Sequence, residues 1–237
     1  MTRTAIIVSV FSGAVVLAAI MIWWPQTRSV SELEPGLKSG RWEDRQRAVA
    51  ELGPSDDPRA EGLLVAALKD TDDRVRAAAA RSLRNRDWRP RNVAEEAWFL
   101  VANDEWDRAA ALGAAAVEPL AASVADHRPY GRLRALRALA AIADPQAAET
   151  LAAFLTDRNP DVRRSSAEAL EKAGWTPKDA AQKAWQLVAL GKWDEAAQLG
   201  AAAVAPLTAA LGDEDASVRE AAAKALEKCK APGAARP

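Results

Sequence analysis

One histidine, His127, and one cysteine, Cys229, are the chain's whole supply of imidazole and thiol groups. A Cys/His zinc site needs four such side chains and an internal disulfide needs two cysteines, so the chain can build neither. No Gly-rich phosphate loop, nucleophile elbow or catalytic triad is present. His127 falls in the stretch Asp126-His127-Arg128-Pro129-Tyr130, which reads as an exposed turn, and Cys229 falls on an apolar helical stripe, which reads as an inert buried thiol. No catalytic, cofactor-binding or metal-ligating residue is therefore assigned. Binding chemistry has one local candidate, the cluster Arg81, Arg84, Arg86, Arg89 and Arg91, opposed nearby by Asp87. Within it Arg81 and Arg84, three apart on a helix, are the candidate partner-binding residues.

Composition narrows the setting. With 32 basic and 33 acidic residues the net charge is −1, which gives no global attraction to nucleic acid. An alanine-rich chain with 27% charged residues and few aromatics reads as mostly helix. The exception is Ala5 to Trp24, AIIVSVFSGAVVLAAIMIWW, an uncharged run long enough to cross a bilayer as a helix. Trp23 and Trp24 suit the headgroup region, and Pro25 stops the helix. Residues 1–24 are thus expected to be a tail and transmembrane anchor. A cleaved signal peptide is the other reading, although the apolar run continues past its only plausible site at Val16-Leu17-Ala18. The flanking basic residues nearly tie, with Arg3 and the amine on one side and Arg28, Lys38 and Arg41 on the other. A short basic tail ahead of such a segment usually stays inside, which favours an extracytoplasmic domain on a single-pass membrane protein. Residues 25–40, PQTRSVSELEPGLKSG, read as a flexible linker, and 231–237 as a disordered tail.

The body of the chain is a duplication. Trp88, Trp98 and Trp106 recur as Trp175, Trp185 and Trp193, 87 residues later in each case. Between 72 and 139, 30 of 68 positions are identical at that shift, too many for composition alone to produce. Arginines at 45, 76, 132, 163 and 219 subdivide the period into steps of 31 and 56. The short step fits one helical hairpin, and the long step fits a hairpin plus an insert of about 25 residues. Apolar residues in Val218, Ala222, Ala225, Leu226 and Cys229 share one helical face, and Thr176-Pro177 reads as the cap and first residue of a helix in the insert. Gly191 is placed to end that helix. The six repeated tryptophans read as packing residues of the inserts.

The segments DDRVRAAAARSL, NPDVRRSSAEAL and DASVREAAAKAL, alternating with PRAEGLLVAALKD, PQAAETLAAFLTD and AVAPLTAALGDED, resemble HEAT repeats, in particular the short bacterial kind of the phycobilisome-lyase type. The resemblance covers residues 41–230 and implies an all-α solenoid of about five hairpins, two of them carrying an extra helix with tryptophan. It also implies that turn aspartates and helix arginines bond between neighbouring repeats, with Asp73, Val75 and Arg76, Asp161, Val162 and Arg163, and Asp215, Val218 and Arg219 at the signature positions. The copy at 128–134 departs from the pattern. Function follows as an expectation: a membrane-anchored, non-enzymatic scaffold for a protein partner, with no metal and no nucleic acid. The alternatives are a bilin-lyase-like or other ligand-binding enzyme of this fold, or a nucleic-acid-binding relative. The iron-dependent hydroxylases of the fold use several His-Glu pairs, which one histidine cannot supply.

Overall fold

A computed structural model describes residues 28–126 and 129–230, and the regular elements among the described residues are helices. They come in pairs. The first period holds α1 (Val30–Leu37) with α2 (Trp42–Leu52), α3 (Pro58–Ala67) with α4 (Asp73–Asn85), and α5 (Val93–Ala102) with α6 (Trp106–Ala110). The second holds α7 (Val117–Val124) with α8 (Pro129–Ala140), α9 (Pro145–Ala153) with α10 (Pro160–Lys172), and α11 (Ala180–Ala189) with α12 (Trp193–Ala197). A seventh pair, α13 (Ala201–Ala210) with α14 (Ala216–Lys230), opens a third period. The described chain is an all-helical solenoid of repeats.

Three expectations change. Residues 30–37 of the expected linker are helix α1, because Ser29 and Glu32 form a reciprocal capping box and Val30 and Leu33 are buried against the next helices. The insert is a hairpin and not a single helix, so hairpins number seven among the described residues. Thr176 does not cap α11. Asp179 does, accepting the Gln182 N–H at 2.8 Å, while the Gln182 side chain accepts the Lys178 N–H at 2.8 Å. The carboxylate wins because it lies three residues before the amide it must reach. Among the described residues no helix is long and apolar enough to cross a membrane; the expected anchor, 5–24, lies outside them, as do His127 and 231–237.

Helix starts repeat with the period. Asp57 and Asp144 cap α3 and α9, each ahead of a proline at the first helical position. Asp72 and Asn159 cap α4 and α10, and Asn92 caps α5 as Asp179 caps α11. Three apolar cores follow one another, and the inserted hairpins join them. Trp88 and Trp98 pack back into the first core, and Ala97, Leu100 and Val101 pack forward into the second. In the second period Trp175 and Trp185 pack back, and Ala184, Leu187 and Val188 pack forward. Trp88, Trp98 and Trp106 are buried, whereas Trp175, Trp185 and Trp193 are only half-buried. For Trp88 the cause is visible: its ring lies 5.4 Å from that of Phe99, and the position of Phe99 is Gln186 one period later.

The period also sets backbone conformation. Gly191 ends α11 as expected, at φ 71°, and the Lys192 N–H returns to the Leu187 carbonyl at 2.9 Å. Gly191→Ala puts a Cβ into a left-handed conformation and is expected to cost about 1–2 kcal/mol. Gly62→Ala, inside α3 with no atom within 4 Å of the new Cβ, is expected to stabilise by about 0.5–1 kcal/mol. Urea denaturation of the full chain followed by circular dichroism reads both, and equal signs would contradict the assignment.

Candidate functional site

Two features recur with the period: a charged ladder along one edge and a groove beside each inserted hairpin. The ladder arginines lie near the start of the second helices. Arg45 donates to the Ser39 carbonyl at 2.9 Å, Arg76 to that of Asp70 at 2.8 Å, Arg163 to that of Asp157 at 2.9 Å and Arg219 to that of Asp213 at 2.7 Å. Each reaches back six residues and fastens the turn of its own hairpin. Arg132 departs from this, donating to the Val124 carbonyl at 2.6 Å.

The same guanidinium groups also reach forward. Arg45 grips both oxygens of Asp70 at 2.8 Å, and Arg132 grips both oxygens of Asp157 at 2.8 and 2.9 Å. Arg76 bonds Asp126, fifty residues on and past the whole inserted hairpin, with side-chain exposures of 2% and 6%. Burial holds the Arg163 guanidinium below its ordinary pKa, against the opposing pull of Asp213 and Asp157. The irregular copy at 128–134 therefore keeps its forward contact.

The forward contacts of Arg45, Arg76 and Arg132 fall on Asp70, Asp126 and Asp157, and Asp213 acts on Arg163 electrostatically, while the expected Asp73, Asp161 and Asp215 stand at helix starts. Asp73 is buried at the first turn of α4. Asp161 is exposed in the first turn of α10 and gives its own N–H to Asn159. Asp215 is exposed and accepts the Ser217 N–H at 2.8 Å at the start of α14. Val75 and Val162 are buried with Arg76 and Arg163, while Val218 is half-buried and Arg219 exposed. The signal for the true partners was available: Asp70/Asp157 and Asp126/Asp213 are identical pairs at the 87-residue shift, each six residues ahead of a ladder arginine.

Grooves of about 430 and 380 Å³ open beside α6 and α12, and their nine lining positions coincide at the period. In the first, Trp106 and Asp107 face Arg134 and Arg137 of α8; in the second, Trp193 and Asp194 face Lys224 and Lys228 of α14. Ala221 stands where Arg134 does, so less side chain covers Trp193 and its groove is the more open about the indole. Lys228 pairs with Asp194 at 2.6 Å and Lys224 with Glu220 at 2.7 Å, both at exposed positions where such pairs exchange readily.

The expected arginine cluster disperses. Arg84 bonds the Asn103 side chain, Arg86 donates to the Gly53 and Ser55 carbonyls, and Arg91 pairs with Glu61. Arg81 is exposed and makes no ion pair among the described residues. The sign change at Arg84/Glu171 is answered inside the chain, since Glu171 pairs with Lys192 at 2.6 Å and Lys192 stands where Glu105 does one period earlier. Cys229 is half-buried, its thiol 3.6 Å from the Ala197 carbonyl.

A family model described as HEAT repeats matches residues 30–116 and 117–199, and one for a single HEAT repeat matches 203–229. The chain belongs to the HEAT-repeat family. The first HEAT boundary falls at α7, where the second period of helices begins. Among solved structures, an engineered protein from the Northeast Structural Genomics Consortium is 22% identical over 86% of this chain and 99% of its own, with a TM-score of 0.26. A designed armadillo repeat protein is 16% identical over 85% of this chain and 100% of its own, with a TM-score of 0.24. No curated protein matches the chain.

Removing one ladder carboxylate tests its weight. Asp126→Ala strands the buried Arg76 guanidinium and is expected to cost about 3–5 kcal/mol. Asp70→Ala should cost less, because both partners of Arg45–Asp70 are 14% exposed and water can replace the carboxylate. Denaturant unfolding of both variants decides the order. A pH dependence follows from the cap of α4: the hydrogen bond from Arg74 holds the Asp72 carboxyl below its ordinary 3.8. A lowered folded pKa gives stability that is present above the unfolded value and lost as pH falls through the folded one. Asp72→Asn should therefore flatten the loss of stability below about pH 4.

Proposed function

We propose that this chain is a protein-interaction scaffold, non-enzymatic, held at a membrane by residues 5–24 as a single-pass anchor with its repeats outside the cytoplasm. The observation that carries the scaffold reading is the recurrence of one groove, at the same nine positions, in both periods. A HEAT solenoid supplies an extended surface for a macromolecule, and two like grooves suit one that makes repeated contacts. Tryptophan beside charged side chains of both signs favours a segment that offers an aromatic or aliphatic side chain flanked by polar groups. The non-enzymatic reading rests on the residue types, one histidine and one cysteine, and on a sequence without a phosphate loop, nucleophile elbow or triad. The anchor reading rests on the uncharged run and its Trp-Trp-Pro end.

Two measurements test this. Full chain in membranes should resist high-salt extraction, and deletion of 5–24 should release it; release of the intact chain by salt removes the anchor. Affinity capture in detergent should return one reproducible protein partner. Trp193→Ala, at a half-exposed position, should weaken that capture about tenfold while leaving helical circular dichroism unchanged, as truncating an interface tryptophan does. Unaltered capture removes the groove as the docking surface.

A further inference from the structure

Two buried arginines one period apart meet different surroundings. The Arg76 Nη1 donates to the Asp70 carbonyl at 2.8 Å, while its Nη2 bonds the Asp126 carboxylate and approaches the Ser123 hydroxyl at 3.5 Å. Its counterpart Arg163 is 7% exposed and uses Nη1 alone, on the Asp157 carbonyl at 2.9 Å and the Arg158 carbonyl at 3.1 Å. Among the described residues its Nε and Nη2 meet no acceptor, and no ion pair joins it to Asp213, the counterpart of Asp126. Ala210 stands where Ser123 does and offers no hydroxyl. Arg163 lines a cavity of about 30 Å³ together with Arg164, Gly191, Trp193, Ala210 and Asp213.

This lining carries two cations and one carboxylate. Arg164 is exposed, makes no ion pair among the described residues and stands where the first period has Ala77. Asp213 is half-buried, and its Oδ1 accepts the Asp215 N–H at 3.0 Å. A buried guanidinium is costly unless acceptors and a counter-ion reach it, and burial already pushes Arg163 below its ordinary pKa. The first period shows which group fits, because the partner of Arg76 at the equivalent place is the carboxylate of Asp126. Size agrees: a water needs roughly 10–15 Å³ of such space, so this cavity suits a group of about three heavy atoms.

We propose that the cavity receives one carboxylate, gripped by the Nε and Nη2 donors of Arg163 with Arg164 beside it. Its source is a small free acid or an acidic side chain of a segment docked in the Trp193 groove. Gly191 and Trp193 line both the cavity and that groove, so the two adjoin. Only the second source rests on the scaffold reading.

The probe is sodium formate, exchanged for sodium fluoride at constant ionic strength around the full chain in detergent, with the urea midpoint read by tryptophan fluorescence. Formate should raise the midpoint saturably, since a ligand of the folded state stabilises it by mass action. Arg163→Lys keeps the charge and a donor for its own turn but loses the two-pronged fork, and should abolish the saturable rise. Arg164→Ala, at an exposed position, should leave the midpoint in fluoride unchanged and weaken formate binding about fivefold, through loss of one nearby charge. Formate that also displaces the captured partner assigns the carboxylate to a docked segment; formate that binds without displacing it assigns a free acid. Formate binding is read with no partner present, so failure of the scaffold reading leaves it standing. No saturable rise, or an equal rise in the wild type and both variants, would overturn the proposal.

Discussion

A guanidinium group removed from water must find its carboxylate, and at Arg76 that carboxylate belongs to a hairpin fifty residues away. This requirement fixes how the solenoid is stacked. Apolar faces built of alanine, valine and leucine attract their neighbours without direction, because burial scales with area. The ladder adds the direction. Arg45, Arg76 and Arg132 each hold the turn of one hairpin and the aspartate of another, so neither can shift without leaving a charge poorly paired. The insert is constrained as well, since the Arg76–Asp126 contact ties α4 to the turn between α7 and α8 across the whole inserted hairpin.

The duplicated chain acts as its own comparison. Where the first period has Asp87 and Asp104 in left-handed backbone, the second has Gly174 and Gly191, so the conformation persists while the residue changes. Where Arg84 gives way to Glu171, Lys192 arrives to meet it. These exchanges separate what the fold requires from what it tolerates. Backbone handedness, caps and ladder charges are kept, and the partners of an exposed charge are free to change: Arg84 bonds Asn103 and Glu105 pairs with Arg108, whereas Glu171 and Lys192 pair with each other.

Much of this was legible in the residues. The 87-residue shift, the steps of 31 and 56, and the Val-Arg helix starts gave the helical repeat and located its arginines, because core and ladder positions recur strictly. Helix α1 was hidden, since Pro35, Gly36 and several polar residues in 25–40 resemble a linker and its support comes from burial of Val30 and Leu33. The ladder aspartates were misassigned to residues beside the arginines, because proximity in sequence says nothing of a side chain that must reach the neighbouring hairpin. The grooves were out of reach for the same reason: each is shared between α6 and α8, or α12 and α14, and its walls are brought together by stacking.

The ladder and the grooves occupy different stretches of the same helices. On α8 the ladder residue is Arg132, near the start, while the groove positions run from Arg134 to Ala141, toward the other end. Each groove lies between the second helices of neighbouring hairpins, α6 and α8 or α12 and α14, so the ladder that sets the stacking of those hairpins also sets the width of both grooves.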